Sequence, residues 1–512
     1  MDRTATFRGP PGGKGPPPRP GSHSRPGAPR HRGPPQGRFQ TQLPSHQRVR
    51  LKGRERVLSA GTIRQPPSGS VQRLPILVRH LTRFRDHVRD PLFRNAYALM
   101  VNTGATGLLG VAYWLLAARH YASADLGRAS AAYSAMSLLA GLTALNLTGA
   151  LTRFLPQAGR RTTALIACTY VASSVVSVVI AIPFLVIVPG PGSSYAELGG
   201  VAPGVLFAAC VATWSVFTLQ DGVLCGLRRA VWVPVENGLF GTIKIALVVG
   251  LAQVCPHTGI YISWMLPAAV SLPLVNMLIF GRLLPAHARL ARARPPPTGK
   301  QIRRFLAGDY TGALCMLATT TLVPVMVAVR SGPGSTAYFY VAWMIGATLD
   351  LLAVNMATSL TVEGAFDTAT LASNCKAALR KMLLILVPAA ACLALAAPWA
   401  LGLFGPGYAA RGTPTLELLA VATLPKAVTE LYLGGLRAQS RTRLIALIQA
   451  VRCVLVLGLT AAFTAPVGIT GAAIAALTGQ VAVAVLVARG LRRMLGGRRR
   501  RPLAVPLDGG AC

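Results

Sequence analysis

The sequence consists of two related halves. From Asp221 it reads Asp-Gly-Val-Leu-Cys-Gly-Leu-Arg, and from Glu430, 209 positions later, it reads Glu-Leu-Tyr-Leu-Gly-Gly-Leu-Arg. A basic residue then follows inside an apolar run, Lys244 in the first half and Arg452 in the second. Repeats at a fixed offset between long apolar segments are typical of membrane proteins built from two copies of one unit.

The composition indicates a chain that crosses the membrane many times. Hydrophobic residues make up 52% of the sequence and charged residues only 13%, with a net charge of +37. The excess positive charge lies mainly in the N-terminal segment and in alternate loops, where anionic lipid attracts Lys and Arg. We therefore expect anionic membrane lipids as partners, and no nucleic acid.

Twelve apolar segments are each close to the roughly 20 residues that a membrane-spanning helix needs. The predicted spans are 95–118, 127–151, 163–188, 201–226, 235–254, 259–281, 303–329, 336–361, 379–403, 414–436, 444–464 and 468–488. The predicted fold class is an all-α polytopic membrane protein with about 12 transmembrane helices in two six-helix repeats.

The loops predict the orientation of these helices. Lys and Arg concentrate in alternate loops, and short loops rich in these residues face the cytoplasm. Both termini are then cytoplasmic. Because six is even, both halves begin on the same side, so the two repeats are parallel.

Composition also divides the chain into segments. We predict a disordered basic tail over 1–70, an amphipathic interfacial helix over 71–90, an N-terminal six-helix lobe over 91–281, a basic cytoplasmic linker over 282–302, a C-terminal six-helix lobe over 303–489, and a basic cytoplasmic tail over 490–512. The tail is rich in Pro, Gly and Arg and lacks the apolar residues that a core requires.

Lys244 and Arg452 lie deep in apolar helices, where a charge costs roughly 2.5–3.5 kcal/mol. One interpretation is that both cations face a central cavity and bind an anionic group of a substrate. The other is a clamp within each half, in which Lys244 pairs with Asp221, and Arg452 with Glu430. The two interpretations are compatible if the pairs open when substrate arrives.

Four further residues are candidates for the site. Lys426 has no basic counterpart in the first half, which leaves a role specific to the second half or a pair with Glu430. Asp350 and Asp309 are candidates to carry a proton or a cation, or to cap and pair locally. Arg153 lies at the cytoplasmic mouth, as a phosphate contact or as an orienting charge.

Other polar and aromatic residues are interpreted as interfacial. Glu236, Glu363 and Glu417 lie close to predicted helix ends, where solvent reaches them. Five tryptophans near helix ends are expected to belong to the interfacial aromatic belt: Trp114, Trp232, Trp264, Trp343 and Trp399.

The sequence offers no sign of an enzyme. It contains no phosphate-binding GxxxxGK[ST] loop, no Cys/His spacing of a metal site, and no catalytic Ser/His/Asp arrangement. We expect no cofactor and no metal.

Several loose motifs carry a family resemblance over about residues 92–490. The first apolar segment ends in Leu115-Leu-Ala-Ala-Arg119, the second exits through Arg153-Phe-Leu-Pro156, and Gly226-Leu-Arg228 and Gly435-Leu-Arg437 close corresponding helices. In these features the chain resembles bacterial polysaccharide flippases of the multidrug/oligosaccharidyl-lipid/polysaccharide exporter superfamily.

The resemblance implies a fold like that of the MATE transporters, with two lobes that rock around a central cavity. It also implies a lipid-linked glycan as substrate in a bacterial cell membrane, and polysaccharide polymerases or glycosyltransferases as partners. Lys244 and Arg452 are the positions matched to binding the diphosphate. Two alternatives remain: a multidrug or metabolite exporter of the same fold, and a membrane scaffold without transport activity.

Overall fold

The computed structural model describes residues 91–285, 310–366, 371–439 and 441–496. Within these ranges the regular structure is entirely helical. The predicted tail (1–70), the interfacial helix (71–90), most of the linker, Asp309 and most of the C-terminal tail lie outside the described residues.

The described part of the chain contains twelve long helices. The first six, which we call the N-lobe, are α1 (Pro91–His120), α2 (Ser123–Phe154), α3 (Thr162–Ile187), α4 (Val201–Gly226), α5 (Trp232–Gly250) and α6 (Gly259–Leu278). The other six, the C-lobe, are α7 (Tyr310–Arg330), α8 (Pro333–Phe366), α9 (Leu371–Leu395), α10 (Pro406–Ala438), α11 (Thr442–Val467) and α12 (Ile469–Leu495).

Ten of these helices are long and apolar enough to cross a membrane. Helix α2 is an eleventh candidate if its two segments, which meet at a 43° bend, count as one span. Helix α10 is less apolar because Glu417, Lys426 and Glu430 lie along it. The predicted all-helical polytopic fold with a duplicated six-helix unit is confirmed.

One predicted span differs from the observed helices. The segment predicted as a single helix over 379–403 is divided into α9, which ends at Leu395, and a short helix, Ala397–Gly402. Pro398 lies in the first turn of the short helix, where its missing N–H is tolerated. The same residue inside a continuous helix would remove a backbone hydrogen bond, so the chain breaks before it.

A group of buried hydroxyls connects three helices of the N-lobe. Thr143 on α2 lies 2.9 Å from the Ser177 hydroxyl on α3 and 3.0 Å from the Ser215 hydroxyl on α4. Ser173 contacts both Thr143 and Ser215. Because lipid offers no hydrogen-bond partners, such contacts hold transmembrane helices together, each by about 0.6–2 kcal/mol.

The two lobes are hydrogen-bonded to each other at one end, which we call the closed end. The Ser194 amide donates to the Ala328 carbonyl at 3.0 Å, and the Ser194 and Thr336 hydroxyls lie 2.9 Å apart. The Arg119 side chain donates to the Leu403 carbonyl at 2.5 Å. The predicted orientation places this end outside the cell.

Gly127 lies where the N-lobe touches the first residue of α8. A methyl group at this position would clash with the Pro333 carbonyl oxygen, whereas one on Gly110 of α1 would meet no atom within 4 Å. We therefore expect Gly127→Ala to disfavour the closed end and Gly110→Ala to leave it unchanged.

The measurement is disulfide formation between Ser194→Cys and Thr336→Cys in a variant without native cysteines, because these two side chains touch only when the end is closed. Gly127→Ala should reduce the yield of the cross-link several-fold. Equal yields with alanine at Gly127 and at Gly110 would contradict this packing.

Candidate functional site

A cavity of about 590 Å³, which we call the N chamber, lies between the helices of the N-lobe and α8 of the C-lobe. Helices α1, α2, α4, α5, α6 and α8 line it, and its charged lining residues are Asp221 and Lys244. Small residues of α1, among them Gly107 and Gly110, form part of its wall and have no atom within 4 Å of the Cβ position. The space next to α1 is therefore open.

Lys244 lies in a cage of aromatic rings. Its side chain is only 5% exposed, and its Nζ lies 3.7 Å from the Trp264 ring centroid, 4.7 Å from Tyr113 and 5.2 Å from Phe240. All three distances are within the range of cation–π attraction. Ring faces attract a cation but supply no opposite charge, so the three rings leave an ammonium at this position without a counter-ion.

The structure does not bring Lys244 and Asp221 together, so the pair predicted for the first half is wrong. Among the described residues no carboxylate lies within 4.0 Å of Lys244, and both oxygens of Asp221 instead accept hydrogen bonds from Asn237 Nδ2, at 3.3 and 3.2 Å. Asn237 lies about two turns before Lys244 on α5, closer to the turn between α4 and α5 and therefore closer to the depth of Asp221.

Arg452 and Glu430 form the pair that was predicted for the second half. Arg452 Nη1 lies 2.7 Å from Glu430 Oε1, and the two side chains are 2% and 1% exposed. Arg437 lies farther from the same carboxylate, at 3.8 Å from Oε2. Glu430 therefore compensates a cation that is more deeply buried than Lys426, whose side chain is 15% exposed.

The distance of each residue from the turn that connects its two helices explains why Glu430 and Arg452 form an ion pair and Asp221 and Lys244 do not. Asp221 lies five residues before the end of α4 and Lys244 twelve residues after the start of α5. At 1.5 Å per residue these positions are about 8 and 18 Å from the connecting turn. Glu430 and Arg452 lie eight and ten residues from their turn, about 12 and 15 Å, so their depths match.

A smaller cavity of about 230 Å³, the C chamber, lies in the C-lobe. Lys426, Asp350 and Arg452 line it, together with Trp343 and Gln480. Ala347 and Leu351 on α8 line both chambers, so one face of α8 separates them.

Lys426 pairs with Asp350 and not with Glu430. Its Nζ lies 2.5 Å from Asp350 Oδ2, and the Thr423 hydroxyl donates to Oδ1 at 3.2 Å. The predicted contact with Glu430 is therefore corrected. Asp350 has a basic partner, which argues against this carboxylate as an unpaired carrier of a proton or cation.

Of the remaining candidates, those that the structure describes do not line either chamber. Arg153 is exposed at the end of α2, with its guanidinium 5.7 Å from the Phe154 ring, and lines neither chamber. Asp309 and the side chain of Glu363 lie outside the described part of the structure. Glu417 is exposed, whereas Glu236 is buried, so the interfacial prediction for Glu236 is wrong.

The interfacial interpretation is also wrong for Trp114 and Trp264, which are buried inside the protein. Trp114 and Trp264 are 3% and 8% exposed and belong to one aromatic cluster with Tyr133, Trp214 and Tyr340. Trp232 and Trp399 are exposed. Distance from a helix end does not tell whether a ring faces lipid or the lobe interior, so sequence reasoning missed this cluster.

No family model and no curated protein matches the chain, whereas several solved structures do. The inward-facing conformation of a multidrug resistance MATE family transporter of the MOP superfamily superposes with a TM-score of 0.57 at 14% identity, over 78% of this chain and 98% of that one.

Two further structures give the same result. A MOP superfamily transporter from Pyrococcus furiosus has a TM-score of 0.55 at 15% identity, over 79% of this chain and 95% of that one. A MATE protein in the bent conformation has a TM-score of 0.53 at 16% identity, over 80% and 96%. This chain has the MATE transporter fold. The predicted MATE-like architecture is confirmed, and these identities extend no further than the fold.

Proposed function

We propose that the protein is a membrane flippase that moves a polyprenyl-diphosphate-linked oligosaccharide from the cytoplasmic to the outer leaflet by alternating access. It would serve surface polysaccharide synthesis in a bacterial cell membrane, with both termini in the cytoplasm. Glycosyltransferases and polymerases would act before and after it, and anionic lipids would contact its basic segments. The MATE fold supports the transport mechanism, and the N chamber supports the substrate.

The observation that carries the proposal is Lys244. Its charge is stabilised by three rings and has no carboxylate within 4.0 Å among the described residues. A diphosphate that leaves water needs a cation and hydrogen-bond donors, and an uncompensated ammonium supplies both. Asp221 shares the chamber but is held by Asn237.

The aromatic wall suits the glycan part of such a substrate. Tyr133, Trp214 and Tyr340 line the N chamber beside Trp264. Aromatic rings present apolar faces together with polar O–H and N–H edges, which fits a sugar ring with apolar C–H faces and hydroxyls at its rim. A cavity of about 590 Å³ is of the size that binds small molecules, so it would take the diphosphate and the nearest sugars.

The C-lobe cations have a supporting role in this proposal. Arg452 is compensated by Glu430 and Lys426 by Asp350, so each would bind a phosphate only by sharing its carboxylate or releasing it. We therefore assign the first phosphate contact to Lys244. Arg452 and Lys426 would contact the substrate later, when the lobes move, and Arg153 would attract it at the cytoplasmic mouth.

The drug-exporter alternative would need a cavity whose charge is set by a carboxylate. Segment 95–119 of α1 contains no acidic residue, and Asp350 is neutralised by Lys426. One of the similar proteins is described by the reverse polarity of its binding pocket, which suggests a different function for it. Pocket charge therefore differs between proteins of this fold, and here the N chamber holds a lysine with no carboxylate within 4.0 Å among the described residues, beside an aspartate that Asn237 holds.

Complementation of a flippase-null bacterium tests the proposal. Wild type should restore surface polysaccharide, and Lys244→Met should trap the lipid-linked glycan on the cytoplasmic leaflet although the protein is made normally. Lys376→Met is the matched control, because Lys376 is an exposed cation on α9 that lines neither chamber.

Two outcomes would contradict the proposal. Full activity of Lys244→Met would mean that the caged lysine is structural. If Lys244→Met is active while deletion of residues 1–70 abolishes export, the tail recruits partners and the scaffold function replaces the flippase.

A further inference from the structure

Glu236 differs from the other acidic residues whose side chains the structure describes. Asp125, Glu197, Asp350 and Glu430 each lie within 4.0 Å of a basic group. Glu417 is exposed, and Asp221 accepts two hydrogen bonds. Glu236 is only 7% exposed, and neither of its carboxylate oxygens has a hydrogen-bond partner.

The surroundings of Glu236 do not compensate a negative charge. Its neighbours are Tyr170 on α3, Asp221 on α4 and Ser271 on α6. Tyr170 and Ser271 are neutral; the Ser271 hydroxyl is the nearest donor but makes no hydrogen bond of normal geometry to the carboxylate, and the hydroxyl of Tyr170 is itself buried without a partner. Asp221 carries the same sign of charge as Glu236. Among the described residues no Lys, Arg or His lies within 4.0 Å of the carboxylate.

An ionised carboxylate in such a place is costly. Removing an unpaired charge from water costs several kcal/mol, and a second carboxylate nearby adds repulsion. The cost disappears when the group takes up a proton. A metal ion would need several oxygen ligands, yet within the described ranges no three His, Cys, Asp or Glu residues come together.

We infer that Glu236 is a proton-binding site of the N-lobe and holds a proton at neutral pH in this conformation. Glu236 lies on α5, about two turns before Lys244, and beside Asp221, which lines the N chamber. Loss of this proton would place a negative charge next to Asp221, just outside the lining of the chamber. The proton therefore prevents a second carboxylate charge from joining that of Asp221 beside Lys244, whatever anion the chamber binds.

Infrared spectroscopy of the full-length protein in lipid tests the inference without any transport assay. At about pH 7 an ordinary glutamate, with a pKa near 4.3, is ionised and shows no carboxylic acid band. The protein made with ¹³C-labelled glutamate should show a carboxylic acid C=O band that shifts with the label. Glu236→Gln should remove this band, and Glu417→Gln should retain it.

A third variant covers the case in which Glu236→Gln fails to fold. Glu236→Asp should keep a carboxylic acid band but lose its shift with labelled glutamate. Absence of a labelled band in the wild type overturns the inference, as does a labelled band that persists in the Glu236 variants. A band that appears only after sodium is removed also overturns it, because a metal ion would then occupy the site.

Discussion

Replacing Glu430 with glutamine is expected to lower the free energy of unfolding by about 3–5 kcal/mol. The substitution leaves Arg452, which is 2% exposed, with a buried charge and no carboxylate at 2.7 Å. Arg437, 3.8 Å from the same carboxylate, cannot replace Glu430 because it is itself a cation. A buried charge without compensation is among the most costly defects that a single substitution makes.

The measurement is the unfolding equilibrium in lipid bicelles, with two comparisons. Glu417→Gln removes an exposed carboxylate from the same helix and should change stability by less than about 0.5 kcal/mol. The double variant Glu430→Gln with Arg452→Met should be more stable than Glu430→Gln alone, because no unpaired charge remains. Equal stability of the two single glutamine variants would contradict the clamp between α10 and α11.

Replacing Lys244 with methionine is expected to weaken binding of a polyprenyl diphosphate by roughly ten- to a hundredfold. A hydrogen bond to a charged group contributes about 1.5–3 kcal/mol, and each 1.4 kcal/mol is a factor of ten. Methionine keeps an unbranched apolar chain among the three rings, so the cage remains filled. The fold should therefore tolerate the change.

Binding is measured by native mass spectrometry or by fluorescence with a labelled polyprenyl diphosphate. The uncharged polyprenol is the ligand control, and wild type and Lys244→Met should bind it equally. The protein control is Lys376→Met, which should retain the affinity of the wild type for both ligands. Loss of affinity for the polyprenol as well would mean that Lys244→Met damages the cavity and not a phosphate contact.

Much of the fold could be predicted from the sequence. Segment length and hydropathy located the membrane helices, and the offset from Asp221 to Glu430 revealed the duplication. The ion pair of Arg452 with Glu430 could also be predicted, because both residues lie at similar depths on consecutive antiparallel helices. The same argument failed for Lys244 and Asp221, since their depths differ by about 10 Å once the helix ends are known.

The aromatic cage was beyond sequence reasoning for a geometric reason. Phe240 lies one turn before Lys244 on α5, so this contact follows from helical spacing. Tyr113 and Trp264 come from α1 and α6, and only the packing of three helices brings them to the lysine. Glu236 was misassigned likewise, because its place near a helix end conceals that it faces the lobe interior.

Translocation in proteoliposomes tests the central claim most directly. A fluorescent polyprenyl-diphosphate oligosaccharide is placed in one leaflet, and its appearance in the other is followed with a membrane-impermeant quencher. Wild type and Lys376→Met are predicted to accelerate translocation, and Lys244→Met to slow it at least tenfold, with no inhibition by an excess of an organic cation. Transport of the organic cation without transport of the diphosphate lipid would contradict the account.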